Sequence, residues 1–444
     1  MGLFDKFKKK DKHSDKVLVI GLDGVPYCLI QDLTRKGRMP NLARLLQQGS
    51  AGNMESSMPP VSSVAWTTFM TGVNPAKHGI FGFMEKKDDS YDIYFPNATH
   101  VKSPAIWDML GRTGKTTIAV NIPQTYPARE ISGIIISGFI SIDLEKAVTP
   151  SRLLPVLKEM DYRIDVNYQE AAEKKDEFFG DLFYTLKKRR EAFLYLMEKE
   201  PWNLFIGVFT GTDRLQHYFW GDYADEHSAY HQQFLDYYTA IDKIIGEMLD
   251  RAGDETPLII LADHGFSLLK KEVFLNAWLK QKGFLKLKKD PPQSFGDIHP
   301  ESTAFVLDPS RVYINMHSVP RTKYHDVCKQ LTEGFLGLKD EETAAPLIRR
   351  VYTKEEIFSG PFMDKAPDLV LWSAPGYDLK GAISKNEILG TGKFTGMHTF
   401  DDAFLYIRQA PSLPAKPRIC DVAPTILKYC GISIPEYMDG TPLV

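Results

Sequence analysis

Apolar runs of strand length recur along this chain and alternate with longer stretches of helical character. The first run, VLVIGLDG at residues 17–24, ends in an aspartate and a glycine. Further strand-like runs occupy residues 116–122, 133–139, 204–211, 257–265 and 368–372, with helical stretches notably at 176–199 and 228–251. Because continuous apolar runs are typical of strands buried on both faces, the alternation predicts an α/β fold with a mainly parallel sheet covered by helices on both faces.

The pattern loosens between residues 268 and 345, where LKLKKDPPQSFGDIHPE is followed by VYINM and a polar helix. We interpret this stretch as a small inserted cap over the sheet edge, which leaves 17–267 and 346–444 as the main α/β domain. Residues 1–16 form a basic tail with six lysines. It is either a solvated flexible tail or a short amphipathic segment that makes weak peripheral contact with anionic lipid.

Composition narrows the class of protein. Of the 444 residues, 43% are hydrophobic and 25% are charged, a balance typical of folded globular proteins. Lys and Arg number 54 against 57 Asp and Glu, so no global positive field exists to gather a nucleic acid polymer. Four scattered cysteines fit a reducing compartment, and no signal peptide or membrane-spanning stretch is apparent, so we expect a cytoplasmic location.

Two helix boundaries are marked by proline, glycine and serine. Pro40 opens a helix that we expect to close at Gly49, and the Ser62–Ser63 pair opens an apolar helix that closes at Gly72. A hydroxyl at a helix start is ordinarily a cap. The same position is also where free backbone N–H groups hold a phosphate, so a serine there could attack one.

Metal-ligand chemistry appears where apolar runs stop. In open α/β sheets ligands gather at the carboxyl ends of strands. Three of the runs end on acids and imidazoles, and a glycine-rich segment near the C-terminus adds another histidine: Asp23, Asp213 with His217, Asp263 with His264, and His398. Any one of these residues alone would usually be structural, but their joint occurrence points to a metal site.

A family resemblance rests on several segments that occur in one order. They are GLDG, PPVSSVAWTTFMTGVNPAKHGIFGF, GTDRLQH, ADHG, GMH and CDVAPTILKYCGISIPEYMDGTPL. Together they resemble the alkaline phosphatase superfamily, in particular its type I phosphodiesterase/nucleotide pyrophosphatase branch and the bacterial and archaeal phosphohydrolase/phosphomutase-like members. The resemblance implies an alkaline-phosphatase-like three-layer α/β/α sandwich with a mainly parallel central sheet and a small inserted cap.

The resemblance also implies a site for two divalent metal ions. One ion would be held by Asp213, His217 and His398, and the other by Asp23, Asp263 and His264, with the hydroxyl of Ser62 as nucleophile and ligand. Zinc follows from the resemblance, and manganese also suits this mixed carboxylate and imidazole set. Ser63 is the alternative nucleophile and a candidate substrate-binding residue. Arg214 and Lys393 are candidate phosphate contacts, with a surface or ion-paired role as the alternative, and His78 would support the end of the helix.

The predicted activity is metal-dependent hydrolysis of a small-molecule phosphoric ester, a diester or a monoester, through a phosphoseryl intermediate at Ser62. Ala65 stands where nucleotide pyrophosphatases carry an asparagine, which argues against nucleotide diester specificity. Two alternatives remain: a phosphomutase of the same superfamily, and a non-catalytic metal-binding scaffold at a membrane surface. The substrate and the oligomeric state are open at this point.

Overall fold

The structure is a computed structural model that describes residues 16–168 and 171–444. The predicted basic tail and its lipid contact therefore lie outside the described residues, apart from Lys16. The strands are β1 (Val17–Leu22), β2 (Gly49–Met54), β3 (Glu85–Lys86), β4 (Ile93–Tyr94), β5 (Thr117–Val120), β6 (Gly133–Ile136), β7 (Val148–Thr149), β8 (Leu204–Phe209), β9 (Leu258–Leu261), β10 (Gly265–Leu268), β11 (Lys271–Phe274), β12 (Ala304–Leu307), β13 (Arg311–Ile314), β14 (Ile348–Thr353), β15 (Leu369–Ser373), β16 (Tyr377–Lys380), β17 (Leu389–Gly390), β18 (Gly396–Thr399) and β19 (Ala403–Arg408).

The helices lie between these strands. They are α1 (Tyr27–Arg35), α2 (Pro40–Leu45), α3 (Ser62–Thr71), α4 (Pro75–His78), α5 (Ile106–Arg112), α6 (Leu144–Ala147), α7 (Leu154–Glu159), α8 (Lys175–Lys199), α9 (Gly211–Ala224), α10 (His231–Ala252), α11 (Leu275–Gln281), α12 (Tyr324–Leu336), α13 (Lys354–Ile357) and α14 (Val422–Tyr429). None of the helices in the described ranges is long and apolar enough to cross a bilayer.

Eight strands form the central sheet, in the order β2-β19-β9-β1-β8-β5-β6-β7. The five strands from β9 to β6 are parallel to one another, whereas β19 runs antiparallel to both β9 and β2, and β7 runs antiparallel to β6. Every residue of β1 and β8 is buried. The mainly parallel sheet that the apolar runs predicted is therefore confirmed.

Helices cover both faces of this sheet. Gly21 of β1 and Val208 of β8 are in register, so both point to one face, and Gly207 points to the other. A side chain at Gly21 would meet Trp66 of α3, while one at Gly207 would meet Phe193 of α8. The helices α3 and α8 thus pack on opposite faces. Around them α5 and α14 join the layer of α3, and α2, α9 and α10 join the layer of α8.

A second, smaller sheet has the order β12-β13-β15-β14 and is antiparallel throughout. It has its own apolar cluster, which runs from Val273 to Ile383. The sheet and its cluster include strands on both sides of residue 345, where we placed the end of the cap; the domain division itself stays a prediction. The run at 368–372 is a strand, β15, but it belongs to this small sheet and not to the central one.

Of the two predicted helix ends, one is confirmed and the other is wrong. Gly72 adopts the left-handed conformation, with φ 69°, and ends α3 as expected. Helix α2 already ends at Leu45, and Gly49 begins strand β2, so the expectation that Gly49 closes this helix is wrong. The three residues between helix and strand form a turn, in which the N–H groups of Gln47 and Gln48 donate to the carbonyls of Arg44 and Leu45, three residues back, and the α-helical pattern ends.

Candidate active site

Three adjacent strands bring the candidate site together. Strand β1 lies between β8 and β9, and the parallel register makes their carboxyl ends meet at one edge. Asp23 directly follows β1, Asp263 lies just beyond β9, and Asp213 lies in the first turn of α9, which begins soon after β8. The carboxylates of Asp23 and Asp263 are fully buried and that of Asp213 is almost so. The strand-end argument therefore places three acids together.

The helix α3 supplies the candidate nucleophile. Val61 occupies the N-cap position without a side-chain cap hydrogen bond, and Ser62 is the first residue of the helix. The Ser62 hydroxyl does not cap the backbone; it lies 3.3 Å from Asp23 Oδ1, to which it donates, and 3.3 Å from His264 Nε2. Ser62 is therefore a buried hydroxyl held beside predicted metal ligands, at the end of the helix that favours anions.

Asp213, His217 and His398 meet as one group. His217 follows Asp213 by one helical turn, and its Nε2 lies 3.4 Å from Asp213 Oδ1. His398 lies on β18, which pairs antiparallel with β10 immediately after His264. Its Nε2 lies 3.1 Å from Asp213 Oδ1 and 3.0 Å from His217 Nε2. Two elements therefore supply this group: α9 carries Asp213 and His217, and β18 carries His398.

Asp23, Asp263 and His264 form the second group, with one ligand atom from each within 4.8 Å of the others. Asp263 Oδ1 accepts a hydrogen bond from the backbone N–H of Gly24 at 3.0 Å, whereas the buried Asp263 Oδ2 has no hydrogen-bond partner. His264 Nε2 lies 3.5 Å from Asp263 Oδ2 and 4.0 Å from Asp213 Oδ1. His264 therefore links the two groups.

Backbone carbonyls fix the three imidazoles. The Nδ1 atoms of His217, His264 and His398 face the carbonyl oxygens of Gly396, Gly265 and Pro60 at 3.3, 3.0 and 3.0 Å. Since a carbonyl oxygen only accepts, each Nδ1 carries a proton and donates it, and each Nε2 faces the carboxylates. This arrangement is typical of histidines that ligate a metal through Nε2.

Without a cation, burial and mutual repulsion of the carboxylates shift the pKa values of the side chains in this site. Burial raises the pKa of Asp23 well above its ordinary value, and the neighbouring carboxylates of Asp263 and Asp213 raise it further. Burial likewise raises the pKa of Asp263 to about 8 and lowers that of His264 to about 4. Burial alone would also raise the pKa of Asp213, but His217 and His398 hold it well below its ordinary value.

The residues fit divalent metal ions. His217 Nε2 and His398 Nε2 lie 3.0 Å apart, and both lie within 3.4 Å of Asp213 Oδ1, so several ligand atoms converge on one point. Asp263 Oδ2 is buried without a donor. A buried acceptor without a donor is costly, and positive charge between such atoms removes that cost. The donor set is carboxylate oxygen and imidazole nitrogen with no thiolate, which suits Zn²⁺ or Mn²⁺.

Three other candidates lie at different places. Arg214 is held by Asp165, with its Nη2 2.8 Å from Asp165 Oδ2, and its Nη1 lies 3.2 Å from Asp213 Oδ2. Lys393 is exposed and lies over an aromatic ring. The hydroxyl of Ser63 is buried without a hydrogen-bond partner. The substrate-binding roles of all three stay predictions, and Arg214 orients a predicted ligand in this structure.

His78 has the supporting position that we expected. It is buried, its Nδ1 accepts from the N–H of Ile80 at 3.2 Å, and its Nε2 lies 3.1 Å from the hydroxyl of Thr68 on α3. Burial lowers the pKa of His78 to about 3, so the ring is neutral. Its contacts are with the helix and not with the predicted metal ligands.

Trp66 is a contributor whose role the sequence did not reveal. Its indole N–H donates to Asp23 Oδ2 at 3.0 Å, and the side chain is fully buried between α3 and β1. The sequence suggests only that Trp66 packs in the core or lines a pocket. Trp66 lies one helical turn after Ser62. Because residues four apart lie on one face of a helix, this spacing could have indicated that Trp66 faces the same site as Ser62.

Comparisons with solved structures show which fold this chain has. The structure is similar to phosphonoacetate hydrolase from Sinorhizobium meliloti 1021 in complex with phosphonoformate, with a TM-score of 0.63, 15% identity, and coverage of 93% of this chain and 95% of that chain. It is also similar to human ectonucleotide pyrophosphatase/phosphodiesterase 5, with a TM-score of 0.57, 15% identity, and coverage of 96% and 97%. These likenesses show that the fold is alkaline-phosphatase-like.

A comparison of the sequence with known families shows the family to which this chain belongs. No curated protein matches this sequence. A family model described as type I phosphodiesterase / nucleotide pyrophosphatase matches residues 17–401, which include every predicted metal ligand. The chain belongs to the type I phosphodiesterase / nucleotide pyrophosphatase family and is a hydrolase of phosphoric ester bonds.

Proposed function

We propose that this hydrolase depends on two divalent metal ions and works through a phosphoseryl intermediate at Ser62. The observation that carries the proposal is the placement of one buried hydroxyl, Ser62 Oγ, 3.3 Å from both Asp23 Oδ1 and His264 Nε2. Both of these atoms belong to residues that fit a metal ion. A serine oxygen at that position is suited to be activated for attack on phosphorus.

Six side chains would hold the two ions. Asp213, His217 and His398 would hold one ion, and Asp23, Asp263 and His264 would hold the other beside Ser62. Two divalent ions would supply positive charge that stabilises the phosphoryl oxygens and the attacking and leaving oxygens of an in-line displacement. Zinc and manganese both suit these ligands, and the resemblance to the superfamily favours zinc.

The chain's own groups position the reaction. The backbone N–H groups of Ser62 and Ser63 stand at the start of α3, where the helix offers them no carbonyl partner, so they support a phosphoryl group placed next to Ser62. Asp23 Oδ1 and His264 Nε2 are the acceptors nearest to the Ser62 proton. As the Oγ–phosphorus bond forms, Ser62 gives its proton to one of these acceptors, the bond from phosphorus to the leaving oxygen breaks, and that oxygen takes up a proton and departs as the alcohol. Water then attacks the phosphorus, the Oγ–phosphorus bond breaks, Ser62 Oγ takes up a proton from the attacking water, and the phosphate product is released.

The proposal also covers the class of substrate and the cellular location of the protein. We infer that the substrate is a small-molecule phosphate ester and that the protein works in the cytoplasm. The four cysteines, at positions 28, 328, 420 and 430, are free, which supports a reducing compartment. The relative turnover of aryl phosphate monoesters and diesters decides whether the substrate is a monoester or a diester.

The test is turnover of aryl phosphate monoesters and diesters by the purified chain, after chelation and after addition of Zn²⁺ or Mn²⁺. We expect metal to restore turnover and Ser62→Ala to lower it by about three orders of magnitude or more. Ser63→Ala is the matched control, because it removes a buried hydroxyl from the same helical turn. Mass analysis of acid-quenched protein should place the phosphoryl group on Ser62. Turnover that is independent of metal, or unchanged in Ser62→Ala, would overturn the proposal.

A further inference from the structure

A cavity of about 410 Å³ adjoins the candidate active site. The rings of His217 and His398 form part of its wall, as does Val61, the residue before the proposed nucleophile. The opposite wall comes from β15 and β16, through Leu371 and Lys380 among others. The volume exceeds what a phosphate needs and lies in the range of pockets that enclose an organic ligand.

The lining of the cavity is largely apolar. Both sides contribute such side chains: Met58, Val61 and Phe83 from segments near the nucleophile, and Leu371 and Trp372 from the small sheet. Phe394 and Phe400 add two further rings near His398. A substrate group that fills this space is therefore in contact mainly with carbon atoms.

The two cations in the wall are already paired. Arg349 Nη1 lies 3.3 Å from Asp401 Oδ2, and its guanidinium lies over the ring of Trp372, 4.0 Å from the centroid. Lys380 Nζ lies 2.5 Å from Asp378 Oδ2. Among the described residues, no other lysine or arginine lines the cavity. The wall thus holds no spare positive charge to neutralise an anionic group of a substrate.

Two further acidic side chains also disfavour an anionic substrate group in the cavity. Asp308 and Asp402 also line the cavity, and each accepts a hydrogen bond, from the N–H of Gly381 and from the hydroxyl of Thr399 respectively. An anion beside them would meet carboxylates.

We infer that this site selects phosphate esters of an uncharged, largely apolar alcohol, whose organic group fills the cavity between His398 and Trp372. The inference rests on the proposed function, because it assigns the organic part of the same substrate. Esters that carry a carboxylate or a second phosphate at the end remote from the reacting phosphorus should therefore be poorer substrates.

The test uses a matched pair of substrates, 4-carboxyphenyl phosphate and 4-(methoxycarbonyl)phenyl phosphate, with methyl phosphate as a small reference. The aryl pair differ in charge but have the same aromatic framework. We expect kcat/KM for the uncharged aryl ester to exceed that for the carboxylate by about tenfold or more. We expect Trp372→Ala to raise KM for the uncharged aryl ester by about tenfold and to change kcat/KM for methyl phosphate much less.

A charge variant tests the reason for the preference. Asp401→Asn should leave Arg349 unpaired in the cavity wall and so narrow the difference between the two aryl esters. Asp88→Asn is the matched control, because it removes the partner of Lys365 away from the cavity. Equal kcat/KM for both aryl esters, or a preference for the carboxylate, overturns the inference while the proposed function stands. No turnover of any ester with metal refutes the proposed function, and the inference with it.

Discussion

Replacing Asp263 by asparagine should make the metal-free protein more stable at pH 8, although it removes a predicted ligand. Asp263 Oδ2 is buried without a donor, and its neighbours include the carboxylates of Asp23 and Asp213. Asparagine has nearly the same shape and keeps an oxygen that can accept from the N–H of Gly24. The substitution thus removes a charge without creating a cavity.

The magnitude follows from the pKa of Asp263, which burial raises from 3.8 to about 8. The folded state then binds a proton that the unfolded state has lost, so stability falls as pH rises from about 4 to about 8. At about 1.4 kcal/mol for each pKa step, the ionised Asp263 costs the metal-free fold on the order of 5 kcal/mol at pH 8. Most of this cost is absent at pH 5, where the folded carboxyl is protonated.

The assay is the unfolding midpoint of chelated wild type and Asp263→Asn at pH 5 and pH 8, repeated with Zn²⁺. We expect the chelated variant to exceed wild type by about 3 kcal/mol at pH 8, to show little or no gain at pH 5, and to lose its advantage when metal is present. The control is Asp421→Asn, because Asp421 is a buried carboxylate that already pairs with Arg418. That variant should be less stable than wild type, because it breaks this ion pair. A chelated Asp263→Asn that is no more stable than wild type at pH 8 would refute the reasoning.

Three further predictions concern the packing around α3. Trp66→Phe removes the N–H that donates to Asp23 Oδ2, so metal affinity should fall by about 10- to 100-fold in a chelator competition, and unchanged affinity would contradict that role. Gly21→Ala places a Cβ 2.5 Å from Trp66 Cη2, so the unfolding free energy should fall by about 1–3 kcal/mol in denaturant titrations; a neutral result would show that the layers can separate. Gly72→Ala puts a side chain at φ 69° and 3.1 Å from Met438 Sδ, which should cost about 1–2 kcal/mol in the same titrations, and a stabilised variant would count against the left-handed helix end.

The strand-end ligands could be predicted from the sequence because they depend on local signals. Three of the apolar runs stop at an acid or an imidazole, and parallel strands bring such ends to one edge. Asp213 and His217 needed only the expectation that a helix begins after the strand. The structure brings these residues together, and their metal-binding roles stay predictions.

The small sheet and the sheet edge could not be predicted in this way. The run at 368–372 is as apolar as a core strand because it is buried in a second core, and periodicity does not tell one core from another. Strand β2, with the sequence GSAGNM, has almost no apolar pattern, because it is an edge strand whose partner is β19. The cavity depends on β15 and β16 meeting the segment around Val61, a long-range contact without a local signal.

The scattered origin of the ligands has a consequence for how the protein matures. Asp23 is among the first of these side chains that a ribosome would produce, and His398 is the last. A growing chain therefore lacks one imidazole of the Asp213 group until translation has passed the β10–β18 pair. We expect nascent fragments that stop before that point to bind zinc weakly, so that full metal loading reports a completed fold.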